Sequence, residues 1–254
     1  MSTRWALRFL GVGASHAVEL GNAAAVLERD GEPLLLIDCG VDALHRYIDT
    51  YGQIPMALYL THVHMDHVGG LEELFQRSWF DESIRGRVRL YTHADLVPWL
   101  QGRVADYPGV LAEGGVNFWE AFRLLPCSRG FWHAGSWFEV FASRHHRPGT
   151  SFGLALPGSF VWTGDTRPIP EVLDVHAARG ELIAHDCSLV GNPSHTGVDD
   201  IEREYSESLR QRLILYHYGS AVDGDELAAR GFRVAHPGEA VDVSPALPPH
   251  ADAG

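Results

Sequence analysis

The chain of 254 residues contains no lysine: all 20 basic side chains are arginine, against 33 acidic ones, and 20 − 33 leaves a net charge of −13. A biased genome composition would be enough to produce the absence, which leaves only planar guanidinium forks to recognise phosphate or carboxylate. The shortage of positive charge argues against a basic nucleic-acid module, since such modules set clustered cations against the phosphate backbone. Cysteine is scarce too. Cys39, Cys127 and Cys187 are odd in number and widely spaced, which excludes a disulfide framework and a zinc-knuckle pattern and makes a reducing cytoplasm the expected location. No apolar run approaches the ~20 residues that span a bilayer, and the short one near the start is broken by Arg8 and by glycines, so neither a membrane segment nor an export signal is expected. With 45% hydrophobic and 21% charged residues, the chain has the makings of a core and not of a disordered tail. One domain over residues 1–240 is expected, followed at 241–254 by a mobile tail containing SPALPPHADAG.

Apolar runs at Trp5 to Gly13, Ala23 to Glu28 and Leu34 to Asp38 predict sequential strands, the last two joined through Arg29-Asp30-Gly31-Glu32-Pro33. Asp42 to Tyr51 has helical spacing, and Met56 to Leu60 is a short buried strand that runs straight into THVHMDHVGG. Further on, strands are predicted at Val88 to Tyr91, Trp137 to Ala142, Phe152 to Leu156, Ser159 to Trp162, Leu182 to Ala184 and Leu213 to Tyr216. Helices are predicted from Leu71, over Asp95 to Val104, over Glu171 to Arg179 and over Asp199 to Arg210. Between Gly102 and Gly130 the pattern loosens, with Tyr107, Phe118, Trp119 and Phe122 among glycines and prolines. That stretch is the candidate for a substrate-covering segment. Many strands with helices at intervals describe an α/β layered domain, sheets inside and helices outside.

The chemistry concentrates at His62, His64, Asp66 and His67. Three imidazoles and a carboxylate within six positions, directly after a strand, form a dense set of borderline-soft ligands whose crowding a divalent cation relieves. A loop can wrap alternating histidines around one ion while Asp66 and His67 face a second.

This HxHxDH segment, preceded by Thr61 and followed by Gly69-Gly70-Leu71, resembles the signature of the metallo-β-lactamase-fold hydrolases. LGNAAAVLE and LLLIDCG look like that family's opening strands with an Asp-x-Gly turn at Asp38 and Gly40, RHHRPGTSFGL offers a third metal histidine, WTGDTRP offers Asp165, and ILYHYG offers His217. The resemblance implies a four-layer αββα sandwich. It also implies two zinc ions, with manganese or iron as substitutes: one held by His62, His64 and a histidine of the His145-His146 pair, the other by Asp66, His67 and His217, with Asp165 between them. His146 matches the family's spacing better, and His145 is the alternative. Such a pair of ions, ~3.5 to 4 Å apart, can generate hydroxide near neutral pH and stabilise both attacking and leaving oxygens at phosphorus. Imidazole at position 64, where an acidic residue would suggest a di-iron redox site, favours hydrolysis.

Within that superfamily GDTRP resembles the ribonuclease Z-like phosphodiesterase branch, as does Ala184-His185-Asp186-Cys187 followed by Pro193-Ser194-His195-Thr196. The resemblance makes His195 the general acid and Asp186 its orienting carboxylate, with Asp66 also catalytic; aspartate at 186 replaces the more usual glutamate and shortens the reach. Only 18 residues separate His146 from Asp165, so the long arm with which ribonuclease Z enzymes grip transfer RNA is absent, and long RNA is not the expected partner. The compact members that the chain most resembles are the anti-Pycsar phosphodiesterases, which implies hydrolysis of 3′,5′-cyclic mononucleotides by a homodimer. Arg167 could help to hold the phosphate, and Trp99, Tyr107, Phe118 or Trp119 could stack a base. Trimming of RNA 3′ ends, thioester hydrolysis and a non-catalytic metal-binding scaffold are the alternatives.

Overall fold

The computed structural model describes residues 3–106, 111 and 114–247. Its short apolar runs are strands buried on both faces, as expected where helices cover sheets whose strands are largely parallel. The first sheet has the order β14 (Ala240–Val243), β1 (Trp5–Gly11), β2 (Ala24–Arg29), β3 (Glu32–Ile37), β4 (Ala57–Leu60), β5 (Val88–His93), β6 (Phe122–Cys127). The second has the order β13 (Arg233–Val234), β12 (Leu213–Tyr216), β11 (Leu182–Asp186), β10 (Phe160–Trp162), β9 (Phe152–Leu156), β8 (Ser136–Ala142), β7 (Gly130–His133). Pairing is parallel from β3 through β6 and from β10 through β13, so these strands end together on one edge of each sheet.

Leu7, Leu27 and Tyr59 of the first sheet and Phe138, Leu154 and Trp162 of the second belong to one buried cluster that fills the space between the sheets. A second cluster packs the other face of the first sheet, through Val26, Leu58 and Leu90, beneath helices α1 (Val41–Tyr51) and α3 (Leu71–Phe80). Between these two helices lies the single turn α2 (Met65–Val68), and α4 (Val97–Leu100) follows β5. On the second sheet Leu173 of α5 (Pro170–His176), Ile201 of α6 (Val198–Glu204), Leu209 of α7 (Glu207–Arg210) and Leu227 of α8 (Ala221–Ala229) join the first cluster. The architecture is the four-layer αββα sandwich. Among the described residues no helix is long and apolar enough to cross a membrane.

Three expectations change. The helix foreseen over 199–210 is two, because Tyr205 leaves the helical conformation and Ser206 starts a new turn by accepting the Leu209 amide. The loosely patterned stretch before residue 130 contains β6, which extends the parallel sheet. The fold also continues past residue 240: β14 pairs antiparallel with β1, Trp5 opposite Val243. Of the tail expected to be mobile, residues 248–254 lie outside the described residues, as does Tyr107.

Candidate metal centre

Parallel strands deliver their following loops to one edge, and the side chains singled out in the sequence gather there. His62 and His64 follow β4, Asp66 and His67 sit on α2, Asp165 follows β10, Asp186 closes β11, and His217 follows β12. The turn after β3 builds the support. Asp38 is fully buried in a left-handed backbone conformation (φ 62°), and its carboxylate accepts from the Thr61 amide at 2.8 Å, the Thr61 hydroxyl at 2.8 Å and His67 Nδ1 at 2.9 Å. Gly40 is obligatory two residues on, since a Cβ there would lie 2.1 Å from the Asp66 carbonyl oxygen. Gly164, at φ 62°, turns the chain so that Asp165 points inward. His217 is also left-handed (φ 69°), and its amide donates to Val12 O at 2.6 Å. Asp38, His217 and His146 (φ 53°) are non-glycine residues in that region, each costing on the order of 1–3 kcal/mol, and they mark a site that the surrounding structure over-determines.

Two ligand sets meet at Asp165. His62, His64, His145 and Asp165 can each offer one ligand atom, all within 4.8 Å of one another, and so can Asp66, His67 and His217. In the first set His62 Nε2 and His145 Nε2 each lie 3.1 Å from His64 Nδ1. In the second, His67 Nε2 is 3.4 Å from Asp66 Oδ2. The Oδ2 atom of Asp165 is 3.6 Å from His62 Nε2, 3.4 Å from His67 Nε2 and 3.3 Å from His217 Nε2, which places it between the sets.

The third histidine is a correction. The structure brings His145 into the cluster, buried and with Nδ1 held by the Ser194 carbonyl at 3.0 Å, whereas the expected His146 is exposed. His146 stays near, its ring centroid 4.8 Å from that of His64, but it is not in either ligand set.

The residues fit divalent cations. His67 Nε2, His217 Nε2 and Asp165 Oδ1 are buried without a hydrogen-bond partner, and orphaned donors and acceptors in a dry pocket are costly unless something joins them. Burial pulls the His62 imidazole well below its ordinary value, and pulls His145 down to about 4 against the pull of Asp165. Both rings are therefore neutral near pH 7, the form that ligates. Burial would also lower His217, but the charges of Asp165 and Asp186 outweigh it and push that ring up to about 10. A proton held there is one that a cation would displace.

Beside the second set, His195 Nδ1 lies 2.9 Å from Asp186 Oδ2. Aspartate therefore reaches despite its shorter stem. The same buried carboxylate accepts the Thr166 amide at 2.8 Å, and its other oxygen is 3.4 Å from His217 Nδ1. Burial lowers the affinity of His195 for a proton, yet the bond and charge of Asp186 raise it above the ordinary histidine value. His195 also falls within 4.8 Å of Asp165 and His217 by one ligand atom each, and its ring stacks on His217 at 4.9 Å. His185 is structural: it is buried, with Nε2 2.7 Å from the Tyr205 hydroxyl.

A family model described as the anti-Pycsar protein Apyc1 matches residues 5–240. The chain belongs to the anti-Pycsar Apyc1 family. An Apyc1 from Paenibacillus harenae is 27% identical over 247 residues, covering 93% of this chain and 99% of that one. Another, from Paenibacillus sp. strain J14, is 31% identical over 228 residues, covering 85% and 90%. The metallo-β-lactamase-fold protein YhfI from Bacillus subtilis superposes with a TM-score of 0.71 over 94% of this chain and 99% of its own at 14% identity, which shows the fold. The ligand sets of this Apyc1 family member stand at the strand ends of that fold.

Sequence reasoning left Asp38 and Thr61 out of the site. The available signal was the Asp-x-Gly turn at a strand end, which places a carboxylate beside the loop that carries the histidines. Of the aromatics expected to stack a base, Phe118 is in the core, the Trp119 indole N–H donates to Gln101 Oε1 at 2.6 Å, and Trp99 is exposed, with the Arg147 guanidinium 5.2 Å from its ring. Arg167 is exposed and its Nε donates to Arg144 O.

Proposed function

We propose that this member of the Apyc1 family is a dinuclear phosphodiesterase that opens 3′,5′-cyclic mononucleotides or similarly small phosphodiesters. The observation that carries the reading is the juxtaposition of two ligand sets sharing Asp165 with a His195–Asp186 pair at one side. Two divalent ions in those sets, zinc by preference, would supply an activated water at neutral pH and offset negative charge on the phosphoryl oxygens.

The chain's own groups do the rest. Asp186 accepts from His195 Nδ1 and so fixes the ring and leaves Nε2 free for the substrate. The raised proton affinity of His195 keeps Nε2 protonated for delivery to the leaving oxygen as the P–O bond breaks. In a cyclic substrate that oxygen stays on the same sugar, so the nucleoside must lie on the His195 side. A cavity of about 420 Å³ adjoins His195 and His217 there, lined also by His16, Ser188, Asn192 and Asp223. Small polar groups of this kind suit ribose hydroxyls and base edges. The negative balance of the chain disfavours a long polyanion and leaves a singly charged cyclic phosphate acceptable. A homodimer belongs to the same reading, and light scattering of the purified chain tests it.

The experiment is incubation of the metal-loaded protein with a panel of 3′,5′-cyclic mononucleotides, the products resolved by chromatography, beside an Asp66→Ala control. Ring opening absent from the control is expected. No turnover of any cyclic nucleotide, with cleavage of structured RNA instead, would overturn the reading.

A further inference from the structure

At the opposite edge of the first sheet, where the parallel strands begin, the fold breaks a local rule. Arg89, second residue of β5, stands directly across from Arg123, second residue of β6, and adjacent strands lie only ~4.8 Å apart. Like charges in register are destabilising. Arg87, just before β5, adds a third exposed guanidinium. Eight other arginines hold carboxylates, but among the described residues Arg87, Arg89 and Arg123 hold none. In a chain where acids outnumber bases 33 to 20, uncompensated cations side by side are not forced by composition.

Around them the surface is hollow. One cavity of about 290 Å³ is lined by Arg87, Arg89 and His133, and a neighbour of about 400 Å³ by Arg89, Arg123, Tyr91 and Trp132. Arg89 lines both. Trp132, on the edge strand β7, is 54% exposed, although a large aromatic normally gains by burial. Paired guanidinium forks match phosphate oxygens, and an exposed indole at their side offers a stacking face for a flat ring.

We propose that this groove is a second ligand site, remote from the metal centre, that takes a phosphate carrying an aromatic ring, as a nucleoside monophosphate does. The phosphate sits between Arg89 and Arg123, with Arg87 at the margin, and the ring lies against Trp132. Bound phosphate replaces a cross-strand repulsion by charge-assisted hydrogen bonds, which explains why the pair is tolerated.

Calorimetric titration of the metal-loaded chain with adenosine 5′-monophosphate, and separately with inorganic phosphate, tests the assignment. Arg89→Gln combined with Arg123→Gln is expected to weaken both ligands at this site at least tenfold with metal content unchanged, and Trp132→Ala to weaken the nucleotide and spare phosphate. Asp66→Ala is expected to leave this site intact, which separates it from nucleotide held at the metal centre. In low-salt buffer free of phosphate, Arg123→Gln should melt higher than the parent. Nucleotide binding within twofold of the parent in the double variant, or equal nucleotide affinity in Trp132→Ala, would overturn the proposal. So would a lower melting point for Arg123→Gln, since the pair would then be compensated within the protein.

Discussion

Asp38→Asn changes one atom and should separate metal binding from folding. The carboxylate accepts from three donors, the Thr61 amide, the Thr61 hydroxyl and His67 Nδ1. An amide has one acceptor oxygen and presents N–H on the other side. With the oxygen toward Thr61, the new N–H faces His67 Nδ1, which must give up its proton to accept. The proton then sits on Nε2, the atom that lies 3.4 Å from both Asp66 and Asp165 and has no other partner, and a protonated nitrogen cannot ligate. With the amide turned round, N–H meets the Thr61 backbone N–H in a pocket without solvent, a buried mismatch worth about 1–3 kcal/mol. Loss of an orienting partner of a metal histidine costs roughly 10–100-fold in affinity, or about 1.4–2.8 kcal/mol at 1.4 kcal/mol per decade. Competition against a chromophoric chelator should therefore show the ion proposed for Asp66, His67 and His217 weakened by roughly that factor. The first ion should be nearly unaffected, and the metal-free variant should melt close to the metal-free parent. If both ions bind within threefold of the parent, Asp38 does not set the His67 tautomer and the reasoning fails.

His145→Ala should lose one ion and nearly all turnover, whereas His146→Ala should keep two ions by elemental analysis; the reverse pattern would contradict the observed placement. His195→Ala is expected to slow the chemical step by roughly 10²–10⁴-fold with both ions retained, and loss of metal on that change would recast His195 as a ligand. Asp186→Asn should do more harm than His195→Ala, since it also disturbs the ring of His217 at 3.4 Å; equal defects would confine its role to one histidine. At the far end of the molecule burial holds His133 below 6.5 against its bond to Leu34 O. A folded value below the unfolded one means stability present above about pH 6.5 and lost as pH falls toward the lowered value, so the urea-midpoint advantage of the parent over His133→Phe should shrink between pH 7.5 and 5.5. An advantage that does not change with pH would show that the ring titrates no differently on folding.

The parts of this fold that were legible are those with a strong local period or a dense motif. Leu213 to Tyr216 and Phe152 to Leu156 are unbroken apolar runs, and each is a strand over those same residues. The six positions from His62 to His67 announced a metal site because no other arrangement makes such crowding affordable. What was not legible depends on register. Alternation along β8 buries Phe138 and Val140, and carried forward it would bury His146. Instead Phe141 is buried too, the alternation slips by one, and Ser143 and His145 become the inward residues. Such a slip leaves no trace in residue type, since two adjacent histidines are chemically equal. The break at Tyr205 was hidden for a similar reason: its hydroxyl accepts the Ile169 amide from a distant segment, a tertiary bond that outweighs helical spacing.

Asp186 shows how far residue identity can carry an argument. Read along the chain, it is an aspartate where a longer side chain is usual, and its partner is a histidine nine positions on. In space it closes the end of β11, fully buried, where the backbone has already brought His195 and His217 to opposite oxygens. The shorter stem works because the strand end, and not side-chain length, sets the reach. The Thr166 amide satisfies the same carboxylate, so the loop that carries Asp165 is tied to the pair that holds His195 and His217. Lengthening the side chain by Asp186→Glu would push a carboxylate into a space with no slack, and close-packed interiors accommodate an added methylene at about 1–3 kcal/mol. The expected result is a loss of turnover with a lower melting point; a variant as stable and as active as the parent would mean that the loops, and not Asp186, fix the two rings.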